Sequence, residues 1–248
     1  MTAIRRILAE AGAEWRSFIR RRTAVFFTFF FPIILIVVFG ALVQTDSTGG
    51  GLFAEPAGYY VAGYLAVVVL FTPLSRVSSS VARNRAANRF EKLATTPLTR
   101  LEWLLAHVAV NAAVVLAACL LLLALLAGLT AAPVIAHPAV IPFVVVGVAA
   151  FSGIGALLGR LADSQDGAVA AANAVGLPML FLAETFIPPE LLPNWLVPAI
   201  GWLPLTPFTR GVRAATYEGG PWLSEFAILL AAAILLVAVG AWAIPRTE

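Results

Sequence analysis

The sequence has few charged residues. Only 12% of its 248 residues are Asp, Glu, Lys or Arg, whereas 61% are hydrophobic. An average soluble domain carries about a quarter charged residues. This composition excludes an ordinary soluble domain and indicates an all-α integral membrane protein, for which we expect no nucleic-acid partner.

Cysteine and lysine are also scarce. The one cysteine, Cys119, lies inside an apolar run, so it forms no intramolecular disulfide and has no companion ligands for a metal. The one lysine, Lys92, lies outside any Gly-x-x-x-x-Gly-Lys-Ser/Thr segment, which excludes ATP binding through a P-loop in this sequence. The Gly-x-Ser-x-Gly and His-Glu-x-x-His motifs are missing as well. We therefore expect no catalytic residue, no metal and no cofactor in this chain.

Long apolar runs are what the sequence has in abundance. Each is close to the roughly twenty residues with which a helix crosses the ~30 Å hydrocarbon core, where lipid offers no partner to unpaired backbone groups. The sequence predicts six membrane spans within a single domain covering 1–248, and these spans are 24–43, 58–74, 104–126, 140–161, 168–187 and 226–244.

The basic residues predict the orientation of these spans. All but two of the 16 Lys and Arg residues lie before the first span, between the second and third, or at the ends of the fourth and sixth. The exceptions are Arg210 and Arg213, which lie between the fifth and sixth spans. Because cytoplasmic loops carry the excess of basic residues, we expect both termini and the loop after span two to be cytoplasmic.

Two segments outside the spans have patterns of their own. Residues 1–22 place apolar side chains at steps of three and four, which predicts an amphipathic helix on the cytoplasmic membrane surface. Residues 188–222 contain seven prolines and three tryptophans, and their apolar stretches are too short to cross. This second segment should form short re-entrant helices on the external side, where a lid or vestibule would lie.

The whole plan resembles the membrane subunit of ABC-2 type ABC transporters, in particular the drug-efflux-like branch. The segment "FEKLATTPLTRLEWLL" is similar to the Glu-basic-Leu-x-x-x-Pro stretch that follows span two in that family, and "PPELLPNWLVPAIGWLPLTPFTRGVR" is similar to its external segment before span six. The resemblance implies a permease subunit of an ATP-driven exporter in the cell membrane. It also implies a separate ATPase subunit that holds ATP and Mg, and a second copy or a paralogue of the permease.

In the family the stretch after span two forms a coupling helix that docks on the ATPase subunit, which here corresponds to residues 88–100. The residues that carry this role over are Phe90, Glu91, Lys92, Leu93, Thr95, Thr96, Pro97, Leu98 and Arg100. The residue before a proline is pushed out of the α region, so the short helix should end near Thr95. Thr99 and Glu102 have the spacing of a capping box at the start of span three.

Polar residues within span five and in the segment after it are candidates for a pathway or vestibule. They are Asn173, Glu184, Trp195, Arg210 and Arg213. Asn173 should hydrogen-bond to a neighbouring helix or line the pore. An acid near the end of a span is costly unless it faces water or a partner, so Glu184 either favours a cationic substrate or pairs with Arg210 or Arg213. The resembling permeases have a Ser-Gly pair where this chain has Ala183 and Glu184.

Two other classes of protein remain as alternatives. A secondary transporter or channel would work without an ATPase, but such proteins usually place ionisable groups at mid-depth, and spans one to four have no acid there. A membrane anchor for a cytoplasmic complex is the third possibility. For the loop 88–100 the alternative to docking is a solvated connector.

Overall fold

The computed structural model of the chain is helical. It describes residues 2–23, 25–26, 28–30, 33–34, 55–129, 137–187, 193 and 195–245. The helices are α1 (Ala3–Arg20), α2 (Val61–Ala86, preceded by a 3-10 turn at Ala57–Tyr60), α3 (Arg89–Ala94), α4 (Arg100–Leu129), α5 (Val140–Leu161), α6 (Gln165–Leu182), α7 (Val197–Ile200), α8 (Leu205–Arg213, continued by a π turn at Ala214–Glu218) and α9 (Leu223–Ala243). These described residues contain no β-strand.

Four helices of the described residues are long and apolar enough to cross a membrane. They are Gly58–Ala86, Arg100–Gly128, Val140–Leu161 and Leu223–Ala243. They correspond to the predicted spans two, three, four and six, and the helix of span two continues beyond the predicted 58–74 through the Ser- and Arg-rich segment to Ala86. The predicted span 24–43 lies largely outside the described residues.

The fifth predicted span is shorter than expected. The sequence predicted 168–187, but α6 ends at Leu182 and the chain turns at Ala183 and Glu184. The apolar run continues past this point, so local composition does not end the helix. Glu184 adopts a left-handed backbone conformation with a φ of 55°, which a helix cannot continue through.

The core of the fold lies around α2, which packs against α4, α5, α6 and α8. Nearly all of its N-terminal half is buried, including Leu65 and Leu70, and so is Tyr60 of the preceding turn. Helix α5 contacts α9 as well as α2, and its buried Phe143 and Phe151 lie between the helices. The helices of three predicted spans, α4, α6 and α9, thus pack on the central pair α2 and α5.

Glycines on α5 allow its neighbours to approach closely. A Cβ atom at Gly155 would lie 2.8 Å from the carbonyl oxygen of Leu74 on α2, so this glycine serves close helix packing. A second close approach was not foreseen from the sequence. A Cβ atom at Gly240 of α9 would lie 2.6 Å from the carbonyl oxygen of Gly153.

Substituting Gly240 by Ala should lower the free energy of unfolding by about 1–2 kcal/mol, because the added methyl group would force two helix backbones apart. Titration with sodium dodecyl sulfate of the protein in detergent measures this change. The matched control is Gly128→Ala on α4, where no atom of the described residues lies within 4 Å of an added Cβ. The control should be neutral or slightly stabilising, since Ala favours a helix over Gly. Equal losses in both variants would contradict the close packing of α5 and α9.

The predicted N-terminal amphipathic helix is present as α1. Its buried Phe18 packs against Val110 and Val114 of α4. A neighbouring face of the helix exposes apolar side chains, which are Ile4, Leu8, Trp15 and Ile19. The helix therefore has one face on the bundle and one apolar face left uncovered by the described residues, and its position in the membrane interface stays a prediction.

Candidate functional site

The loop between α2 and α4 is built on the short helix α3. The chain enters it through Asn88, whose φ of 50° is a left-handed conformation that Asn tolerates better than most residues. The helix ends after Ala94, and Thr95 and Thr96 donate side-chain hydrogen bonds of 2.8 and 2.7 Å to the carbonyl oxygens of Lys92 and Leu93. The predicted end of this helix near Thr95 is confirmed.

One face of α3 is packed into the protein. Phe90 is buried and its ring meets that of Trp103 edge-on, with 5.4 Å between the ring centroids. Leu93 and Leu98 pack against the same cluster, which also includes Ile244 at the end of α9. Phe90 and Leu93 were predicted among the residues that dock on the ATPase subunit. In the structure these two side chains face inward and anchor the loop to α4 and α9.

The other face of the loop is exposed. Its exposed side chains include Glu91, Lys92, Thr95, Thr96 and Pro97. Arg100 is half-buried, and its guanidinium donates a 2.9 Å hydrogen bond to the carbonyl oxygen of Trp242 on α9. Next to the loop is an open pocket of about 310 Å³, whose walls include Leu93, Pro97, Leu98, Arg100 and Ile244.

The capping box at the start of α4 is present as the sequence predicted. The backbone N–H of Thr99 donates to Glu102 Oε2 at 2.8 Å, and the backbone N–H of Glu102 donates to Thr99 Oγ1 at 3.2 Å. Arg6 of α1 donates from Nε to the same carboxylate at 3.0 Å. The start of α4 is thus tied to the loop on one side and to α1 on the other.

Removing the aromatic anchor with Phe90→Ala should raise the hydrogen exchange rates of the α3 amides by about ten-fold or more, because a helix this short is held by packing rather than by its own hydrogen bonds. Hydrogen–deuterium exchange with mass spectrometry of the purified chain measures this. Phe90→Leu keeps most of the apolar contact and should stay close to the wild type. Unchanged exchange in Phe90→Ala would show that α3 does not depend on Trp103.

The second cluster of candidate residues lies where α6 ends. Glu184 is only 3% exposed, and Arg210 of α8 holds its carboxylate through two hydrogen bonds, of which the bond from Nε to Oε2 measures 2.8 Å. Arg213 donates at 2.6 Å to the backbone carbonyl oxygen of Glu184. Thr209 Oγ1 donates at 2.8 Å to the carbonyl oxygen of Ala183. Side chains of α8 therefore satisfy carbonyl groups that the end of α6 leaves without helical partners.

The two arginines of this cluster have different surroundings. The hydrogen bond to Glu184 raises the pKa of Arg210, whose side chain is 39% exposed. Burial lowers the pKa of Arg213, whose guanidinium stacks over the ring of Tyr59 with 3.7 Å to the centroid. Cation–π contact and the carbonyl group thus compensate a buried charge.

Three further side chains bear on the predicted vestibule. Asn173 lies on an exposed face of α6, so it is not buried between helices. Trp195 is also exposed, at 78%. Neither joins the Glu184 cluster. Thr209 was not predicted as a site residue, although its spacing of four residues from Arg213 puts both on one helix face.

The described residues from α7 to the π turn form short helices, as the sequence predicted. The part at 188–192 and 194 lies outside those residues. Almost all of α8 is buried, and it packs against α2, α5 and α9. Its Phe208 meets Phe143 of α5 edge-on at 6.3 Å. The segment is therefore a built part of the bundle rather than a loose connection.

Comparison with known proteins gives one family. A family model described as ABC-2 type transporter matches residues 6–217, which is more than four fifths of the chain. The match includes both the loop around α3 and the Glu184 cluster. A search of curated proteins found no match.

Proposed function

The chain belongs to the ABC-2 type transporter family, and we propose that it is the permease subunit of an exporter driven by a separate ATPase subunit. Members of this family usually work with an ATPase subunit. The family and the apolar helices make the chain a membrane subunit of an ABC transporter. We further propose that the chain crosses the cell membrane six times, with both termini in the cytoplasm. It also places ATP, Mg and all hydrolysis on the partner, with no catalytic residue here.

The observation that carries the proposal is the two-sided construction of the loop around α3. Its outer face exposes Glu91 and Lys92 together with the Thr95–Pro97 turn, while its inner face is anchored by Phe90. A solvated connector has no need of an aromatic anchor, and an anchored, charged helix suits a docking element. We therefore assign ATPase contact to the exposed residues and transmission to the buried ones.

The anchoring contacts offer a route for force from the ATPase to the membrane helices. A push on α3 reaches α4 through the ring contact of Phe90 with Trp103 and through the capping box of Thr99 and Glu102. It reaches α9 through the hydrogen bond from Arg100 to Trp242. Closure of the ATPase dimer would thereby tilt two helices at once and open the pathway to the outside.

The Glu184 cluster would hold the external hairpin on the bundle. Its carboxylate is already paired with Arg210, which favours pairing over cation recognition among the two roles that the sequence left open. With Arg213 beside them, the three side chains carry one net positive charge. A pathway between two copies of the chain, or between this chain and a paralogue, would then be bordered by a fixed hairpin on each side.

Co-purification tests the proposal. A tagged chain, extracted from its native membrane in mild detergent, should bring down a P-loop ATPase, and the complex should hydrolyse ATP. Glu91→Lys combined with Lys92→Glu should reduce the amount of ATPase recovered, because these residues form the exposed face of α3. Transport by the purified chain alone, driven by an ion gradient, would instead favour a secondary transporter or channel.

A further inference from the structure

A basic pocket lies between α1 and α2, apart from both sites described above. Its volume is about 150 Å³, which gives room for several water-sized groups. Its walls carry Glu14 and Arg21 on the α1 side. On the α2 side they carry Arg76, Ser80 and Arg83 together with further serines. No step of the proposed transport mechanism uses this pocket.

The charges of the pocket do not balance. Three arginines face one acid, Glu14, so that the lining carries two excess positive charges. Arg76 lies 3.6 Å from Glu14, and it is close enough to Arg21 and Arg83 for their charges to act on it. Glu14 is also shared with His107, whose Nε2 lies 3.7 Å away. The unbalanced positive charge in this partly buried site would be stabilised by a further anion.

Arg83 offers a hydrogen-bond donor for that anion. One of its terminal nitrogens donates to Ser80 Oγ at 3.1 Å. Its Nε is buried and has no hydrogen-bond partner among the described residues. A buried donor left without an acceptor is costly, and guanidinium groups match the oxygens of a phosphate group well. Serine hydroxyls on the pocket wall can complete the coordination of such a group.

The surroundings of the pocket indicate where the phosphate comes from. The outer face of α1 exposes Ile4, Leu8, Trp15 and Ile19, which is the pattern of a helix lying in a membrane interface. In the proposed orientation this places the pocket at the level of the headgroups of the cytoplasmic leaflet, where anionic lipids are found. We infer that the pocket between α1 and α2 binds the phosphate group of an anionic phospholipid. The lipid source rests on the proposed orientation.

Titration calorimetry on the full chain in non-ionic detergent tests this inference. The probes are short-chain phosphatidylglycerol, short-chain phosphatidylcholine and inorganic phosphate. Arg83→Gln and, separately, Arg21→Gln should weaken binding of phosphatidylglycerol by about ten-fold or more, since each removes a charged donor. Arg16→Gln is the matched control, because Arg16 is an exposed residue of α1 outside the pocket. Should Arg83→Gln fail to fold, the variant of the exposed Arg21 decides.

Each outcome has a defined meaning. Binding of phosphatidylglycerol that depends on Arg21 and Arg83, with weaker binding of inorganic phosphate, supports the inference with a lipid as the source. Equal binding of inorganic phosphate with the same dependence supports the phosphate chemistry with a free anion as the source. Equal binding of phosphatidylcholine, or binding that no pocket variant changes, overturns it, as does no binding of any probe. The titration needs neither ATPase nor transport, so its failure leaves the proposed function untouched.

Discussion

Exchanging the two exposed charges of α3, Glu91→Lys with Lys92→Glu, should lower ATP-driven transport by roughly 30-fold, the effect of losing about 2 kcal/mol at a desolvated charged contact. The exchange keeps the net charge of the chain. Both residues are exposed, so the free energy of unfolding should change by less than about 0.5 kcal/mol. ATP hydrolysis by the partner should continue, because the nucleotide site is not in this chain. Transport and hydrolysis are measured together in proteoliposomes.

A matched exchange controls for charge reversal at the same membrane surface. Arg160→Asp with Asp163→Arg swaps two exposed charges, one in the last turn of α5 and one just after it, on the side proposed to be cytoplasmic. This control should transport as the wild type does. If the α3 variant also keeps both activities, the loop is a solvated connector and the coupling role of α3 is wrong.

Removing the acid that joins α6 to α8, Glu184→Ala, should lower the free energy of unfolding by about 2–3 kcal/mol. Losing one partner of a buried ion pair costs about 3–5 kcal/mol, and the cost here is smaller because the Arg210 side chain is 39% exposed and can reach water. Titration with sodium dodecyl sulfate measures the loss. Glu218→Ala, which removes an exposed acid from the same segment, should change the value by less than about 0.5 kcal/mol.

A glycine at the same position separates the ion pair from the backbone. Glu184 has a φ of 55°, a conformation that costs a residue with a Cβ about 1–2 kcal/mol and glycine almost nothing. Glu184→Gly should therefore be about 1 kcal/mol more stable than Glu184→Ala, although less stable than the wild type. A Glu184→Ala variant as stable as the wild type would mean that the pair with Arg210 does not hold the hairpin.

Local sequence rules predicted two features of the loop around α3. The bias of a residue before proline predicted the end of the helix near Thr95, and the spacing of Thr99 and Glu102 predicted their reciprocal hydrogen bonds. Both depend on residues within four positions of each other. The direction in which Phe90 points was not predictable in this way, because a helix of six residues has two plausible inner faces and Trp103 selects one of them.

Contacts between distant residues account for what the sequence analysis missed. The apolar run of span five continues to 187, and its helix stops at Leu182 where Thr209 and Arg213 of α8 bind the carbonyl groups beyond it. Likewise, no sequence pattern pairs Gly153 with Gly240, and only the fold shows that they meet. The pairing of Glu184 was foreseen as one of two roles because few basic residues lie between spans five and six.

Site-directed photocrosslinking tests the central claim most directly. The chain has one cysteine, and Cys119 is buried, so a cysteine introduced at an exposed position is the accessible thiol among the described residues. Thr95→Cys, labelled with a photoreactive maleimide in native membranes, should crosslink to a P-loop ATPase, while Asp163→Cys should give far less of that product. An ATPase crosslinked equally from both positions, or from neither, would contradict docking at α3.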